Sequence, residues 1–466
     1  MKSKKLLTAA VAGAMVALVG CDQGDDVNVI IGSGGTGGTS VAPPTNCPAF
    51  AIGVAVGTRA MCQISGLITD NITLTSDSDW FLNGSVRIGN GDLEIDGPMD
   101  ADLQTATLTI QPGTDIFASG DSLLKITRGS QIQAAGTPAQ PITFSGVDQG
   151  EEGSGEWGAL IVMGFGITNE NQTAPTPVNV DLEAGLGFYG GTDNADNSGT
   201  MTYVRIAESG VEVAPDEEIN GLTLAGVGSA TTINHIQIKG GLDDGIEWFG
   251  GAANLSHVVV TDAEDDSLDM DLGWVGNLQF AIVERNALSD RGIESDNNGS
   301  DFDAAPRTRP VLANLTMIGD GRGPVALHRE GFGGKVVNAL YLEDDTCIDV
   351  DNTRQEIDSG DLAYVNVILD CTNDVNDDAE DAGVDFAEAL LVAGAPTNFI
   401  AANAPPITLD ANFIPTTAQP AAPAAPTVQS FALSTPTFLV DTDFLGAVNP
   451  DGSDLWFDGW LIDGTF

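Results

Sequence analysis

The chain has 466 residues, of which 67 are Asp or Glu and only 17 are Lys or Arg, so its formal net charge is -50. Because no strongly basic surface is available, nucleic acid is excluded as a partner, and anionic membranes and polyanions are disfavoured. The same charge attracts divalent cations and keeps a protein soluble in salty surroundings.

Residues 1–20 are predicted to be a lipoprotein signal peptide. Lysines near the start precede an apolar stretch, residues 6–17, that is too short to span a bilayer comfortably. The following Leu-Val-Gly-Cys sequence ends at Cys21 and resembles the bacterial lipobox. This resemblance implies cleavage before Cys21 and attachment of lipid to its sulfur and its new amino group, so the membrane is an expected partner.

Residues 21–45 are predicted to be a flexible tether because they are rich in Gly, Ser and Thr. No other stretch of eighteen apolar residues occurs in the sequence, so the lipid is the only membrane anchor that we expect. We predict a cell-envelope location, as an outer-membrane lipoprotein exposed at the surface. Asp22 resembles the inner-membrane retention signal of enteric bacteria, which keeps the periplasmic face of the inner membrane as the alternative.

Four further cysteines, Cys47, Cys62, Cys347 and Cys371, are expected to lie in an oxidising compartment. Of the three connectivities we favour Cys47 with Cys62 and Cys347 with Cys371. The second pair is separated by about one β-helix coil, which would place its members on adjacent coils roughly 5 Å apart. No CxxC spacing occurs, so these thiols are not expected to bind metal.

From about Ile68 the sequence consists of short β-rich runs of period two, punctuated by Gly, Asn and Asp. Residues 80–88, 106–116 and 123–126 are examples, and none is followed by a helical pattern. Strands that alternate with turns, without crossover helices, predict a parallel β-helix over residues 46–372.

Three stretches near the middle repeat the same pattern, at residues 233–247, 255–269 and 278–294, with starts 22 and 23 residues apart. Repeats of this period indicate stacked units, each of which is completed by its neighbours. His235 and His257 occupy matching places in successive repeats, so we expect them to stack beside the strands.

Residues 373–466 differ in composition from the repeats. An acidic loop is predicted after Asn373, followed by an Ala- and Pro-rich strap over residues 402–428. The aromatic segment 444–460 is expected to cover the open end of the stack, because an exposed terminal coil is a template for aggregation.

Several motifs resemble a group of bacterial envelope lipoproteins with a right-handed, pectin-lyase-like β-helix. The resemblance covers roughly residues 71–371 and part of the C-terminal end. It implies an all-β fold, a right-handed parallel β-helix with an N-terminal lipoprotein signal and a C-terminal cap or strap, but no particular activity. The motifs are Trp80-Phe-Leu-Asn-Gly, Leu108-Thr-Ile-Gln-Pro-Gly-Thr, Gly155-Glu-Trp-Gly-Ala-Leu-Ile-Val-Met-Gly, Asn220-Gly-Leu-Thr-Leu-Ala-Gly-Val-Gly-Ser and Asp244-Gly-Ile-Glu-Trp-Phe-Gly-Gly.

Side chains alternate along a strand, so the apolar member of each repeat predicts which neighbours face water. We take Ile246, Leu268, Ile293, Leu327 and Ile348 as inward-facing. The outward pairs are then Glu247/Phe249, Asp269/Asp271, Glu294/Asp296, His328/Glu330 and Asp349/Asp351. These pairs would form a column of carboxylates on one face of the stack. Stacked carboxylates repel one another, so such a column needs cations or raised pKa values.

Two functional interpretations of this face follow. In the first, a hard cation such as Ca²⁺ bridges the coils, with Asp265, Asp269, Asp271, Glu294 and Asp296 as oxygen ligands.

In the second interpretation, the face is the active site of a polysaccharide lyase or glycoside hydrolase, with Asp269, Glu294, Arg291, His328 and Arg329 as the catalytic groups. The Gly-His-Gly and Arg-x-Lys signatures of polygalacturonase-like enzymes are missing from the sequence.

A third, simpler interpretation is structural. Asp243, Asp244, Asp265 and Asp266 lie in turn sequences, where Asp bonds its own backbone. We therefore predict a non-catalytic binding or structural surface protein whose partners are glycans, cations or other surface components. The alternatives are the polysaccharide-cleaving enzyme and a self-associating surface-layer subunit.

Overall fold

The computed structural model describes residues 41–147, 153–170, 179–213, 218–377, 399–400, 407–416, 428–432, 435 and 437–466. The predicted signal peptide, Cys21, Asp22 and most of the predicted tether lie outside the described residues. The same is true of most of the predicted acidic loop and most of the Ala- and Pro-rich strap.

The predicted all-β parallel β-helix is confirmed. In the described residues, one sheet of 27 strands winds through the molecule, and its pairings are parallel after the first hairpin. The strands of the first half are β1 (Ile52–Val56), β2 (Arg59–Ile68), β3 (Ile72–Leu74), β4 (Trp80–Ile88), β5 (Thr107–Ile110), β6 (Asp115–Ala118), β7 (Leu123–Ile126), β8 (Gln131–Ala135), β9 (Ile142–Gly146), β10 (Leu160–Met163), β11 (Val180–Leu182), β12 (Gly187–Tyr189), β13 (Gly199–Ser209), β14 (Leu222–Ala225) and β15 (Thr232–Gly241).

The second half continues the same pattern and contains one short helix, α1 (Arg354–Ser359). Its strands are β16 (Ile246–Phe249), β17 (Asn254–Ala263), β18 (Asp266–Asp271), β19 (Asn277–Glu284), β20 (Arg291–Ser295), β21 (Val311–Ile318), β22 (Pro324–His328), β23 (Lys335–Val337), β24 (Leu340–Leu342), β25 (Thr346–Val350), β26 (Ala363–Val365), β27 (Ile368–Asp370), β28 (Asn373–Asp377) and β29 (Phe399–Ile400).

Strand pairing arranges the coils into three faces. The first face runs from β3 through β5 and β8 to the first halves of β13, β15, β17, β19 and β21, and on to β23 and β26. The second face contains β6, β9, the second halves of the same long strands, β24 and β27. The third face is β7, β10, β14, β16, β18, β20, β22, β25 and β28.

The corner between the first and second faces is made by one residue of positive φ in each coil. A β-branched side chain would be strained in this conformation, whereas Asn and His tolerate it better. Tyr203, His235, His257, Phe280, Asn314, Asn338 and Asn366 hold these positions, with φ between 51° and 64°. His235 and His257 stack with ring centroids 4.4 Å apart, as predicted.

The core lies inside the coils and is made by the inward member of each alternating strand. Trp157, Trp248 and Trp274 are fully buried there, and the last two stack at 4.7 Å. These tryptophans are therefore core residues, and none offers a stacking surface for a sugar.

Both predicted disulfides are present. Cys47 and Cys62 have Cα atoms 5.5 Å apart, and Cys347 and Cys371 have Cα atoms 5.4 Å apart. The first bond joins the segment before β1 to β2, and the second joins β25 to the residues that precede β28, one coil further on.

We call residues 437–466 the C-terminal strap; they follow the Ala- and Pro-rich segment that was predicted over residues 402–428. The C-terminal strap runs lengthwise over the outside of the stack. Its residues Val448, Trp456 and Trp460 pack against Val259 and Ile282 of the second face, and Leu445 packs against Leu340 of β24. The expectation that this segment covers an open end was therefore wrong: it covers a side. The reason is that outward apolar residues of the second face provide a longer surface to bury than one terminal coil.

The hairpin β11–β12 covers part of the third face. Its Val180, Leu182 and Tyr189 pack on outward apolar residues of β10, β14 and β16, among them Ile161 and Phe249. Beyond this hairpin the outward residues of the third face become acidic. In the part of the chain that the structure describes, no helix is long and apolar enough to span a bilayer.

Candidate functional site

Carboxylates from successive coils lie side by side on the third face. Glu247 of β16 pairs with Asp269 of β18, which pairs with Glu294 of β20. Parallel pairing without a register shift keeps equivalent side chains about 4.8 Å apart on the same side of the sheet. The predicted outward direction of these three residues is therefore confirmed.

The prediction for the next coil was wrong by one residue. Ala326, and not Leu327, pairs with Ile293 and Ile348 in the interior, so Leu327 continues the line of Glu294 and Asp349. His328 is fully buried inside the β-helix, where Ser295 Oγ lies 2.5 Å from its Nδ1 and Tyr364 OH lies 2.5 Å from its Nε2. His328 therefore cannot be a catalytic group on this face.

Two arginines neutralise the carboxylates of β20 and the residue that follows it. Arg329 forms an ion pair with Glu294, and its Nε–H donates to both carboxylate oxygens of Asp296, at 2.9 and 3.0 Å. Arg291 Nη1 lies 2.9 Å from Glu294 Oε2 and also pairs with Asp290. Burial works to lower the pKa of both arginines, but the adjacent carboxylates outweigh it, so each pKa is raised.

Asp244, Glu247 and Asp269 form a carboxylate triad that lacks such compensation. One ligating oxygen from each lies within 4.8 Å of the others. In the described residues, no arginine or lysine forms an ion pair with any of the three. Asn220 Nδ2 donates a hydrogen bond to Glu247, and the backbone N–H of Asp266 donates to Asp244 at 3.0 Å.

The charged form of this triad is disfavoured. Burial, followed by the charges of neighbouring carboxylates, raises the pKa of Asp244, Glu247 and Asp269 well above the usual range. Asp269 Oδ1 is buried without a hydrogen-bond partner. Without a cation, the three groups must therefore hold protons or bear their mutual repulsion.

Two further groups extend the acidic cluster toward the turns that precede β16, β18 and β20. Asp243, Asp244 and Asp265 form one, and Asp265, Asp266 and Asp290 form the other. Burial and then the charge of Asp265 raise the pKa of Asp243 to about 7. Asp244 accepts a hydrogen bond from the backbone N–H of Asp266 on the next coil, so this bond joins two coils and is not the local turn bond that we expected.

The predicted cation ligands are only partly brought together. Asp269 joins the triad, and Asp265 joins the adjacent groups, whereas Glu294 and Asp296 bind arginine. Asp271 lies one alternation further along β18, where burial and the charge of Asp296 raise its pKa to about 8. Asp244 and Glu247 belong to the triad but are not among the predicted cation ligands, although the repeated Asp-Asp pair at 243–244 and 265–266 was a usable signal for Asp244.

Comparison with known proteins gives one match. A family model described as a pectate-lyase-like β-helix domain matches residues 66–403, which is more than half of the chain. No curated protein and no solved structure matches the chain.

Proposed function

The chain belongs to the family of pectate-lyase-like β-helix domains, and from that premise we propose that its third face binds a divalent cation, Ca²⁺ in the first place. The cation would in turn bind an acidic or hydroxyl-rich glycan at the cell surface without cleaving it. The protein would be held there by a lipid on Cys21, a role for which the lipobox-like sequence is the support.

The observation that carries the proposal is the uncompensated triad of Asp244, Glu247 and Asp269. It presents only carboxylate oxygens, which are the ligands that hard cations prefer. A bound Ca²⁺ would replace the protons that these buried groups otherwise retain. Ca²⁺ takes about six to eight oxygen ligands, so the three carboxylates of the triad would leave positions for water or for glycan oxygens.

Binding without cleavage is favoured by the state of the arginines. A lyase reaction needs a base that removes a proton next to a carboxyl group, and an arginine can serve only when it gives up its own proton. Arg329 and Arg291 are held in their charged form by Glu294, Asp296 and Asp290. They are therefore suited to positioning carboxylates and not to proton abstraction.

The test is a calcium titration of the purified protein by calorimetry, repeated with Asp269→Asn and Glu247→Gln. We expect saturable binding by the wild type, release of protons on binding, and loss of most affinity in either variant. Exposed carboxylates give matched controls, since Asp70→Asn and Glu94→Gln remove the same charges away from the triad. Equal calcium binding by all of these proteins would contradict the cation site.

Glycan binding is then measured on a panel of acidic and neutral polysaccharides, with calcium and with a chelator. We expect retention of acidic polysaccharides in calcium only. Retention that is unchanged by the chelator and by Asp269→Asn would place glycan binding elsewhere and would contradict this part of the proposal.

A polysaccharide lyase is the second candidate, because the matched family model is described as pectate-lyase-like and two arginines pair with Glu294, the neighbour of Asp269 on the next coil. Incubation with the same panel, followed by ultraviolet absorbance of unsaturated products and by reducing ends, decides between the two. Product formation that disappears in Arg329→Gln would establish the enzyme in place of the binding protein.

A further inference from the structure

Part of the C-terminal strap is attached to the β-helix through two histidines. The rings of His235 and His257 stack in parallel, with centroids 4.4 Å apart and planes within 3°. Trp456 meets His257 edge-on at 5.1 Å, and Trp460 meets His235 edge-on at 5.9 Å. Tyr203 extends the stack at one end, 4.2 Å from His235.

The strap is held differently on either side of this aromatic contact. Its first part hydrogen-bonds to corner and neighbouring side chains: Gln279 bonds both backbone groups of Val440 at 2.8 Å, and Asn314 donates to the carbonyls of Phe444 and Gly446. At the far end, Gln237 accepts the N–H of Ile462 at 2.9 Å. Between these points Trp456 and Trp460 pack on the two rings and on Val259 and Ile282.

The imidazoles in this contact are neutral. Nδ1 of His257 is buried without a hydrogen-bond partner, and Nδ1 of His235 lies 2.9 Å from Asn234 Oδ1. Burial lowers the pKa of His257 to about 3, with a further contribution from His235, and burial lowers the pKa of His235 to about 4. Two positive rings stacked at this distance would repel each other strongly.

Few charges offset a proton on these rings. Asp454 of the strap is the acid whose charge favours the imidazolium of His235. On the neighbouring strands, Arg205 and Lys239 are cations that donate to strap carbonyls, and Asp463 acts on Arg205. Tyr203 is neutral, because burial and then Asp454 raise its pKa above the usual value.

We propose that residues 449–466 form an acid-released latch, in which proton uptake by the stacked imidazoles of His235 and His257 detaches Trp456 and Trp460 and uncovers the apolar side of the second face. The closed strap binds the neutral rings, whereas a free histidine gains a proton near pH 6.5. The closed state is therefore fully favoured above that pH, and it is weakened as the pH falls toward the lower pKa values that the two histidines have in the closed state. Opening exposes Val259 and Ile282, which the strap buries.

Tryptophan quenching tests the latch on the intact chain. Of the six tryptophans, Trp80, Trp157, Trp248 and Trp274 are fully buried in the core, so the two in the strap report its release. We expect acrylamide to reach almost no tryptophan at pH 7 and about one third of them near pH 3.5. Cleavage of the C-terminal segment by an acid-active protease should become at least about tenfold faster over the same range.

The variant His235→Phe/His257→Phe keeps a ring stack and removes the titration. It should stay closed at pH 3.5, while Asp454→Asn, which removes the charge that favours the closed imidazolium, should open at higher pH than the wild type. Where the double variant does not fold, His257→Phe alone should shift opening to lower pH. The same opening pH in wild type and histidine variants, or quenching of all six tryptophans together with loss of the β-sheet circular dichroism, would overturn the latch.

Discussion

Glu247→Gln should make the protein more stable than the wild type in chelator and less stable than the wild type in calcium. The change keeps the shape of the side chain and an oxygen that can accept the hydrogen bond of Asn220, but it removes one charge from the triad. Two ionised carboxylates whose oxygens lie within 4.8 Å of each other repel by at least about 3 kcal/mol at an effective dielectric constant near 20. Proton retention relieves part of this repulsion. We therefore expect the free energy of unfolding in chelator to be about 1 to 3 kcal/mol higher for the variant than for the wild type.

The sign of the pH dependence follows from the raised pKa values. When the pKa of an acid is higher in the folded state, the free energy of unfolding falls as the pH rises from the pKa of the unfolded state to the pKa of the folded state. For Asp243 and Asp271 the folded values are about 7 and about 8. The wild type in chelator should therefore lose stability between about pH 4 and pH 8, and the advantage of Glu247→Gln should grow over the same range.

Calcium should invert this order of stability, so that the wild type becomes more stable than Glu247→Gln. At a free concentration one thousand times the dissociation constant, binding adds about 4.1 kcal/mol, which exceeds the advantage expected for the variant in chelator. For a folded body of roughly 400 residues this corresponds to about 5 °C in the midpoint of thermal unfolding. The wild type should gain this shift, and Glu247→Gln should gain little.

Thermal unfolding by circular dichroism, with calcium and with chelator, measures both effects. Glu94→Gln is the control, since that carboxylate is exposed and lies away from the triad. If Glu247→Gln is less stable than the wild type in both buffers, and chelator leaves the wild-type curve unchanged, the triad is a hydrogen-bonded structural element and the reasoning fails.

Three other perturbations have defined outcomes. Cys347→Ser/Cys371→Ser should lower the free energy of unfolding by about 3 kcal/mol, measured in denaturant, because the bond closes a loop of 24 residues; no loss would mean that the coils alone fix this end. Arg329→Gln leaves Asp296 without the N–H that both of its oxygens accept; because Arg329 is partly exposed, the change should cost about 1 to 2 kcal/mol in chelator, with much of the loss recovered in calcium. Cys21→Ala should move the protein from the membrane fraction to the soluble fraction in a bacterial host, and an unchanged distribution would contradict the lipid anchor.

The course of the chain through the β-helix could be predicted because alternation and a repeat of nearly constant length carry that information. Ile246, Leu268 and Ile293 face inward as expected, and their separations of 22 and 25 residues, about one coil each, place Glu247 and Asp269 opposite each other on adjacent coils. The disulfide between Cys347 and Cys371 followed from the same spacing.

The direction of the residues on the next coil could not be predicted from their apolar character. Leu327 is larger and more apolar than Ala326, yet Ala326 is the interior residue. The interior at this level also contains His328 and Tyr364, whose polar atoms lie within hydrogen-bond distance of each other. A histidine satisfied inside the core gives no signal in a single sequence.

The ion pairs of the candidate site were equally hidden. Arg329 reaches Glu294 and Asp296 from the following coil, across an insertion at residues 297–308 whose path the sequence does not predict. The pairing decides which carboxylates remain uncompensated, so the proposed cation ligands include Asp244 and Glu247 in place of Glu294 and Asp296. Such a choice depends on the distances between side chains from different coils and not on the pattern within any of them.

The lengthwise course of the strap has a mechanical consequence. A solenoid whose coils touch only their neighbours can fray from an end, one coil at a time. Residues 446–466 run from the level of β24 back to β13, so the strap joins the coils between these strands and opposes the opening of any one of them alone. We expect that region to come apart in one abrupt event under load or heat, whereas the coils near β3 and β5, which lie beyond the strap, are free to peel away first.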